Sequence, residues 1–478
     1  MLLVLATGCS PASSLLTGLP DGVWYWGDLH AHSAWSWDGC EEWQTDCAVT
    51  GSGPGEFFFE HAEDNALDFA ALTDHAEADR YYPDGLDGEA LGIWAGQQAL
   101  VQQAQGGAMI ALLGYEWTAF REARQGNRLE GTHRTVLLSD PSACAAYRVP
   151  GWSLPDGQKA HDVGEKVYTQ DEPDYAETPA ELWSALTAAG EICEPVRWLT
   201  YAHHPAYEIP QVTDWTLAQN NPEQEQVVEI YSEHGSSECI DLTDEGCSWR
   251  VNAAQSYYAD GSIQAALAEG HRLGFVGGTD SHDSRPGSIA DGPSHIAHWL
   301  DEDGDTEPDT PKEHFTAGGL TGVWLDADRS LSAENILETI ASRTTAATSG
   351  PRPSLIAAAA GQDGQLYPPG SILPRSAMPA DIVLEVTAPG ADYDEIIIER
   401  IGADGVLTSD SALTLTDTWR SSEGDWTYMR IRYRTGSDEE RVWLSPWFEE
   451  QQGCSCSAGS SGPWSVAMLL LWWRRRRS

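Results

Sequence analysis

Residues 25–32 read Tyr25-Trp26-Gly27-Asp28-Leu29-His30-Ala31-His32, an apolar run closing on two histidines one residue apart. In a strand, side chains two residues apart share a face, so His30 and His32 can hold one ion together. Further apolar runs along the chain carry metal-ligating residues in the same way. Asp68–Thr73 leads into Asp74-His75, and Met109–Tyr115 into Glu116. His133–Leu138 carries His133, and Trp198–Ala202 leads into His203-His204-Pro205. Leu273–Gly277 leads into Asp280 and His282, and Asp38 follows the first pair within a Trp-rich loop. Seven of the fourteen histidines fall on these positions.

With Val23–Leu29 as the first and Gln226–Tyr231 added, these runs make seven candidate strands. Helical stretches alternate with them, at Pro54–Ala66, Gly88–Gln105, Pro179–Ala189, Ser262–Arg272 and Ser332–Ser342. Strand-helix alternation predicts an α/β fold with a parallel sheet, either a distorted seven-stranded βα barrel or a doubly wound sheet. In a βα barrel the C-terminal strand ends converge on one mouth, where active sites form. Beyond Pro351 short alternating segments at Asp381–Val386, Glu395–Arg400, Ser411–Thr416, Thr427–Tyr433 and Glu440–Leu444 predict a small antiparallel β-sandwich. The expected division is a signal-like segment at 1–20, the barrel at 21–355, the sandwich at 356–450 and a tail at 451–478.

Charge narrows the partners. The chain carries 74 acidic and 27 basic residues, a net charge of −47, with lysine only at 159, 166 and 312. Such a surface repels phosphate backbones and excludes general nucleic-acid binding. The start, Met1-Leu-Leu-Val-Leu-Ala-Thr-Gly-Cys9-Ser10, resembles the end of a lipoprotein signal. The far end runs from Cys454-Ser455-Cys456 through Trp464–Trp473 to Arg474–Arg477 and resembles a bacterial sorting tail. That apolar run is too short to span a bilayer as an ordinary helix. Both ends predict export, to the envelope or beyond, with membrane attachment through lipidated Cys9 or the tail. Six further cysteines, among them the close pairs Cys40/Cys47 and Cys239/Cys247, are expected to form disulfides.

Taken as a series, H-x-H, Asp, T-D-H, G-x-E, His, H-P and D-x-H resemble the polymerase and histidinol phosphatase (PHP) superfamily of metallophosphoesterases. The phrases at 25–32, Glu229-Ile230-Tyr231-Ser232-Glu233-His234-Gly235 and Thr348-Ser349-Gly350-Pro351-Arg352 are similar to a bacterial branch of it described only as a domain of unknown function. The resemblance covers about residues 23–355 and implies a distorted seven-stranded barrel with three metals. His30, His32, Glu116 and Asp280 would hold the first ion. Glu116 would bridge to a second, with His133 and the histidine of the His-Pro pair. Asp38, His75 and His282 would form the third site. His203 and His204 are adjacent and should point oppositely; the spacing favours His204, leaving His203 to line the pocket.

Imidazole and carboxylate ligands suit Zn, Mn or Fe, and two or three divalent ions are expected. Closely spaced ions acidify a shared water and clamp the oxygens of a phosphate ester, so Glu116 and Asp280 are assigned to catalysis as well as ligation. Arg134 and Arg285 lie beside the motifs as phosphate-binding cations, or as structural ion-pair partners. The expectation is a secreted or envelope-associated metal-dependent hydrolase of a small-molecule or phosphoester substrate. Two other readings stay open. One is an amidohydrolase, against which no lysine sits at a strand end. The other is a metal-stabilised surface binding protein without turnover.

Overall fold

The computed structural model describes residues 18–19, 21–33, 36, 57–76, 93–118, 133–139, 176, 178–192, 197–207, 212–216, 218, 221–240, 257–282, 284–287, 318–387, 393–436 and 438–451. Asp38 and both chain ends lie outside these residues, as does every cysteine except Cys239. Among the described residues no helix is long and apolar enough to cross a membrane.

Each of the seven apolar runs forms a strand: β1 (Gly22–Asp28), β2 (Phe69–Leu72), β3 (Ile110–Thr118), β4 (His133–Leu138), β5 (Trp198–Ala202), β6 (Val227–Ser232) and β8 (Gly274–Gly277). A two-residue strand, β7 (Gly235–Ser236), folds back on β6 as a hairpin. Phe69 and Ala71 of β2 join the core on one face with Leu112, Leu199 and Val276, and Ala70 and Leu72 pack on the other face. That second face is covered by helices α1 (Phe58–Asp64), α2 (Ile93–Ala104) and α3 (Pro179–Ile192), through Phe58, Val101 and Leu182. Burial on both faces is why these strands read as unbroken apolar runs. Fully burying a Phe, Leu or Val side chain here contributes about 1.5–3 kcal/mol. Helices α4 (Ile263–Ala268) and α5 (Ala333–Ala341) are N-capped by Ser262 and Ser332, whose hydroxyls accept backbone N–H groups.

The expected βα barrel is not formed. Strands β1, β2 and β3 pair in parallel, as do β5, β6 and β8, but β4 runs antiparallel to both β3 and β5. A βα barrel requires every neighbour to be parallel. Beyond β1 the sheet continues antiparallel through β9 (Leu320–Asp326) and β10 (Thr345–Thr348). It does not close: β8 meets the chain after β1 at a single bridge, Ala31 with Ser281. The other edge of β8 is tied by side chains, with Thr321 Oγ1 bonded to the Gly277 backbone and Thr345 Oγ1 to the Phe275 carbonyl. The result is a large, open, mixed sheet, and the doubly wound alternative fails for the same reason.

Nor are residues 356–450 a free-standing sandwich. The expected border falls inside β11 (Ser354–Ala360). Strand β19 (Asp438–Leu444) pairs with β10, and β18 (Trp426–Thr435) pairs with β19, so the C-terminal half extends the main sheet. Strand β18 also pairs with β15 (Glu395–Gly402), which pairs with β16 (Gly405–Asp410), and with β20 (Trp447–Glu449), which pairs with β13 (Ile372–Leu373). A second sheet of four strands, β12 (Leu366–Tyr367), β11, β14 (Ala380–Thr387) and β17 (Thr414–Trp419), packs over it around Leu355, Ile382, Leu415, Met429 and Trp447.

Candidate metal centre

The parallel strands all finish at one end of the sheet, and antiparallel β4 begins there. This brings His30, His32, His75, His133, His203, His204, Asp280 and His282 around Glu116, all of them buried or nearly so. Glu116 lies on β3 opposite Thr135 of β4, and His133 shares that face by the two-residue period.

Both oxygens of Glu116 are engaged. Oε2 lies 3.1 Å from His30 Nε2 and 3.1 Å from His32 Nε2. Oε1 lies 2.9 Å from His75 Nδ1 and 2.5 Å from His133 Nε2. Asp280 Oδ1 is 3.3 Å from both His30 Nε2 and His32 Nε2, which are themselves 3.3 Å apart. An ion about 2.0 Å from four tetrahedral ligand atoms sets those atoms about 3.3 Å apart. The donor set of His30, His32, Glu116 and Asp280 has that spacing, and it fits a metal ion. His133, His203 and His204 form another convergent group, and His32, His75 and His282 a third. The buried His/Glu/Asp groups of this protein can therefore hold a metal ion.

The far sides of the rings are held as well, which fixes where the near nitrogens point. Glu229 Oε2 lies 2.9 Å from His30 Nδ1, and Ser36 Oγ lies 2.8 Å from His32 Nδ1. Thr135 Oγ1 is 3.3 Å from His203 Nδ1, and the Asp280 carbonyl is 2.8 Å from His282 Nδ1. His203 Nε2 is buried without a hydrogen-bond partner, 3.6 Å from Glu116 Oε2. Asp74 is a support below the ligands: it accepts from Ser33 N–H at 2.7 Å, Ser33 Oγ, Ser36 Oγ and Gln97 Nε2 at 2.7 Å. Asp28 likewise ties the ends of β1 and β8, accepting from Thr279 N–H and Oγ1, His30 N–H and Gly287 N–H. Gly278 lets β8 pass close to β1, since an added Cβ would lie 2.5 Å from His30 Cβ.

Electrostatics favour ligation at His203 and His204. Burial pushes His203 and His204 well below the usual imidazole range, so both are neutral with a lone pair to donate. Burial acts to raise Glu116, but the imidazoles of His133, His75 and His203 packed against it outweigh burial and hold its carboxyl well below the usual range. Burial likewise opposes ionisation of Asp280, and His30 with bonds from His234 and His32 overcomes it.

The histidine doublet corrects one expectation. Adjacent residues alternate only within a strand, and His204 has left β5 with φ +28°, so both rings turn inward. They stand 4.5 Å apart, nearly perpendicular. Of the two roles open to Arg134, the structure places it in the ion pair. It alternates with His133, away from Glu116, and its Nε donates to Glu225 at 2.7 Å while Nη1 donates to the His133 carbonyl. It is a buried ion-pair partner. Arg285 is half-buried three residues past His282. Glu229, Asp28 and His234 were not among the expected ligands or supports. Glu229 had a visible signal, a charge inside the apolar run 226–231, where burial demands a partner.

A family model described as "Protein of unknown function (DUF3604)" matches residues 87–357. No curated protein and no solved structure matches the chain. No PHP model matches either, and the open mixed sheet is not that barrel, so the PHP resemblance and the ligand roles it implied are withdrawn. The centre rests on the distances alone.

Proposed function

We propose that this chain, which belongs to the DUF3604 family of proteins of unknown function, is a metal-dependent hydrolase of phosphoric esters. The observation that carries the reading is Glu116, whose two oxygens face two different sets of imidazoles. A carboxylate so placed would be able to join two neighbouring ions, and paired ions supply the Lewis acidity used for displacement at phosphorus. His30, His32, Glu116 and Asp280 would hold one ion, His133 and His203 would hold a second with Glu116, and His75 and His282 would contribute to a third position. Bound divalent ions would supply Lewis acidity and lower the pKa of a bound water. The protein's own part is to keep His203 and His204 neutral, to fix the rings of His30, His32 and His203 through Glu229, Ser36 and Thr135, and to hold Asp74 and Asp28 beneath them.

The joining position is filled by a glutamate, which favours this reading over an amidohydrolase joined by a carboxylated lysine. We place the enzyme outside the cytoplasm, on the apolar segment ending in Cys9 and the Arg-rich tail. Metal-stripped protein reconstituted with Zn(II), Mn(II) or Fe(II) tests the function on a panel of phosphomonoesters, phosphodiesters and amides. Metal-dependent phosphoester turnover supports it. A loaded protein that leaves the whole panel intact points instead to a surface binding protein.

A further inference from the structure

Resting on the metal-centre reading above, we infer that His234, His204 and Asp280 Oδ2 form an additional, outer ion position, so the doublet His203-His204 serves two different ions. The argument starts with Asp280, whose two oxygens face different histidines. Oδ1 stands 3.3 Å from His30 Nε2 and His32 Nε2, while Oδ2 stands 3.1 Å from His234 Nε2. The latter spacing again matches the edge of a coordination shell about 2 Å in radius. Asp280 adopts φ +55°, a left-handed backbone that aspartate tolerates, between the two sets.

The doublet divides accordingly. The His203 ring is 3.9 Å from that of His133, and its Nε2 faces Glu116. The His204 ring is 4.8 Å from that of His234, and a donor atom from each of His204, His234 and Asp280 lies within 4.8 Å of the other two. His204 is held in this orientation by Glu229 Oε1, which accepts its N–H at 3.2 Å.

His234 is placed with equal care. It sits in the two-residue turn between β6 and β7, followed by Gly235 at φ +95°. Glu233 N–H donates to the Thr279 carbonyl and Gly278 N–H to the Tyr231 carbonyl, binding the hairpin to the segment that carries Asp280. Tyr207 stacks on His234 at 5.1 Å and meets His204 edge-on at 5.4 Å, a wall behind both rings. The His234 side chain is 12 % exposed, whereas His30 and His32 are fully buried. An ion here would lie nearer solvent than one held by His30 and His32.

The test is titration of metal-stripped, full-length protein with Co(II), counting bound ions by mass spectrometry and following the visible absorption. His234→Ala should bind one equivalent fewer than wild type and keep the absorption of the inner ions. His234→Asn, which keeps a polar side chain on the hairpin, should lose the same equivalent. Unchanged stoichiometry in both variants, with ions still lost in Glu116→Gln, overturns this inference and leaves the metal-centre reading standing. Loss in His234→Ala alone indicates a disturbed hairpin and also overturns it. A wild-type protein that takes up no Co(II) removes both.

Discussion

Glu229 and His30, 199 residues apart in the chain, meet at 2.9 Å between Oε2 and Nδ1, both fully buried. The carboxylate fixes the imidazole with Nε2 facing Glu116 and Asp280. Glu229→Gln keeps the volume and removes the charge, so metal affinity should fall roughly 10–100-fold with the fold intact. Competition with a calibrated chelator measures this. Wild-type affinity in the variant would show that Glu229 does not orient the ligand.

Arg134 separates a structural from a phosphate-binding role. Arg134→Met leaves Glu225 buried without its partner and should cost about 3–5 kcal/mol of stability. Metal content should stay at the wild-type level, because the side chain lies on the face opposite Glu116. Denaturant unfolding beside metal analysis decides it. A variant with normal stability and a raised KM for phosphoesters would return Arg134 to the substrate.

Acid stability should depend on Glu439. Burial acts to raise its carboxyl, but bonds from Arg432 and Arg434 and the charge of Arg441 outweigh it and hold the group at about 2. A folded-state pKa below the ordinary value means the stabilisation is fully present above the usual carboxylate range, near pH 4.3, and vanishes as pH falls through about 2. Glu439→Gln should therefore melt lower than wild type at pH 6 and converge with it near pH 2. A gap that does not change with pH refutes the linkage.

Protein recovered from an oxidising compartment should show few free thiols when titrated in denaturant without reductant. The six cysteines between residues 40 and 247 are even in number, as an exported, disulfide-bonded chain requires. Six titratable thiols would contradict export as proposed.

Much of the centre could be read from the sequence, because ligands at strand ends follow a simple rule of chain direction. His30, His32, His75, Glu116, Asp280 and His282 each close an apolar run or follow it. Topology was harder, since an apolar run looks the same whichever way its strand runs. A clue existed all the same: His133 stands at the start of its run, so reaching the same end of the sheet required β4 to run antiparallel. The continuity of β10 with β19 joins residues about a hundred positions apart and leaves no local pattern. Strand alternation predicts opposite directions for His203 and His204, but β5 ends at Ala202 and φ +28° at His204 turns both rings inward.

The central claim is that Glu116 joins neighbouring ions through its two oxygens. Metal content of Glu116→Gln, measured by mass spectrometry beside phosphoester turnover, tests it most directly. The amide keeps the side-chain volume but removes the negative charge that balances two dications. At least two ions should be lost together, turnover should fall by orders of magnitude, and the circular dichroism should match wild type. Full metal loading with wild-type turnover would take Glu116 out of the centre and contradict the account.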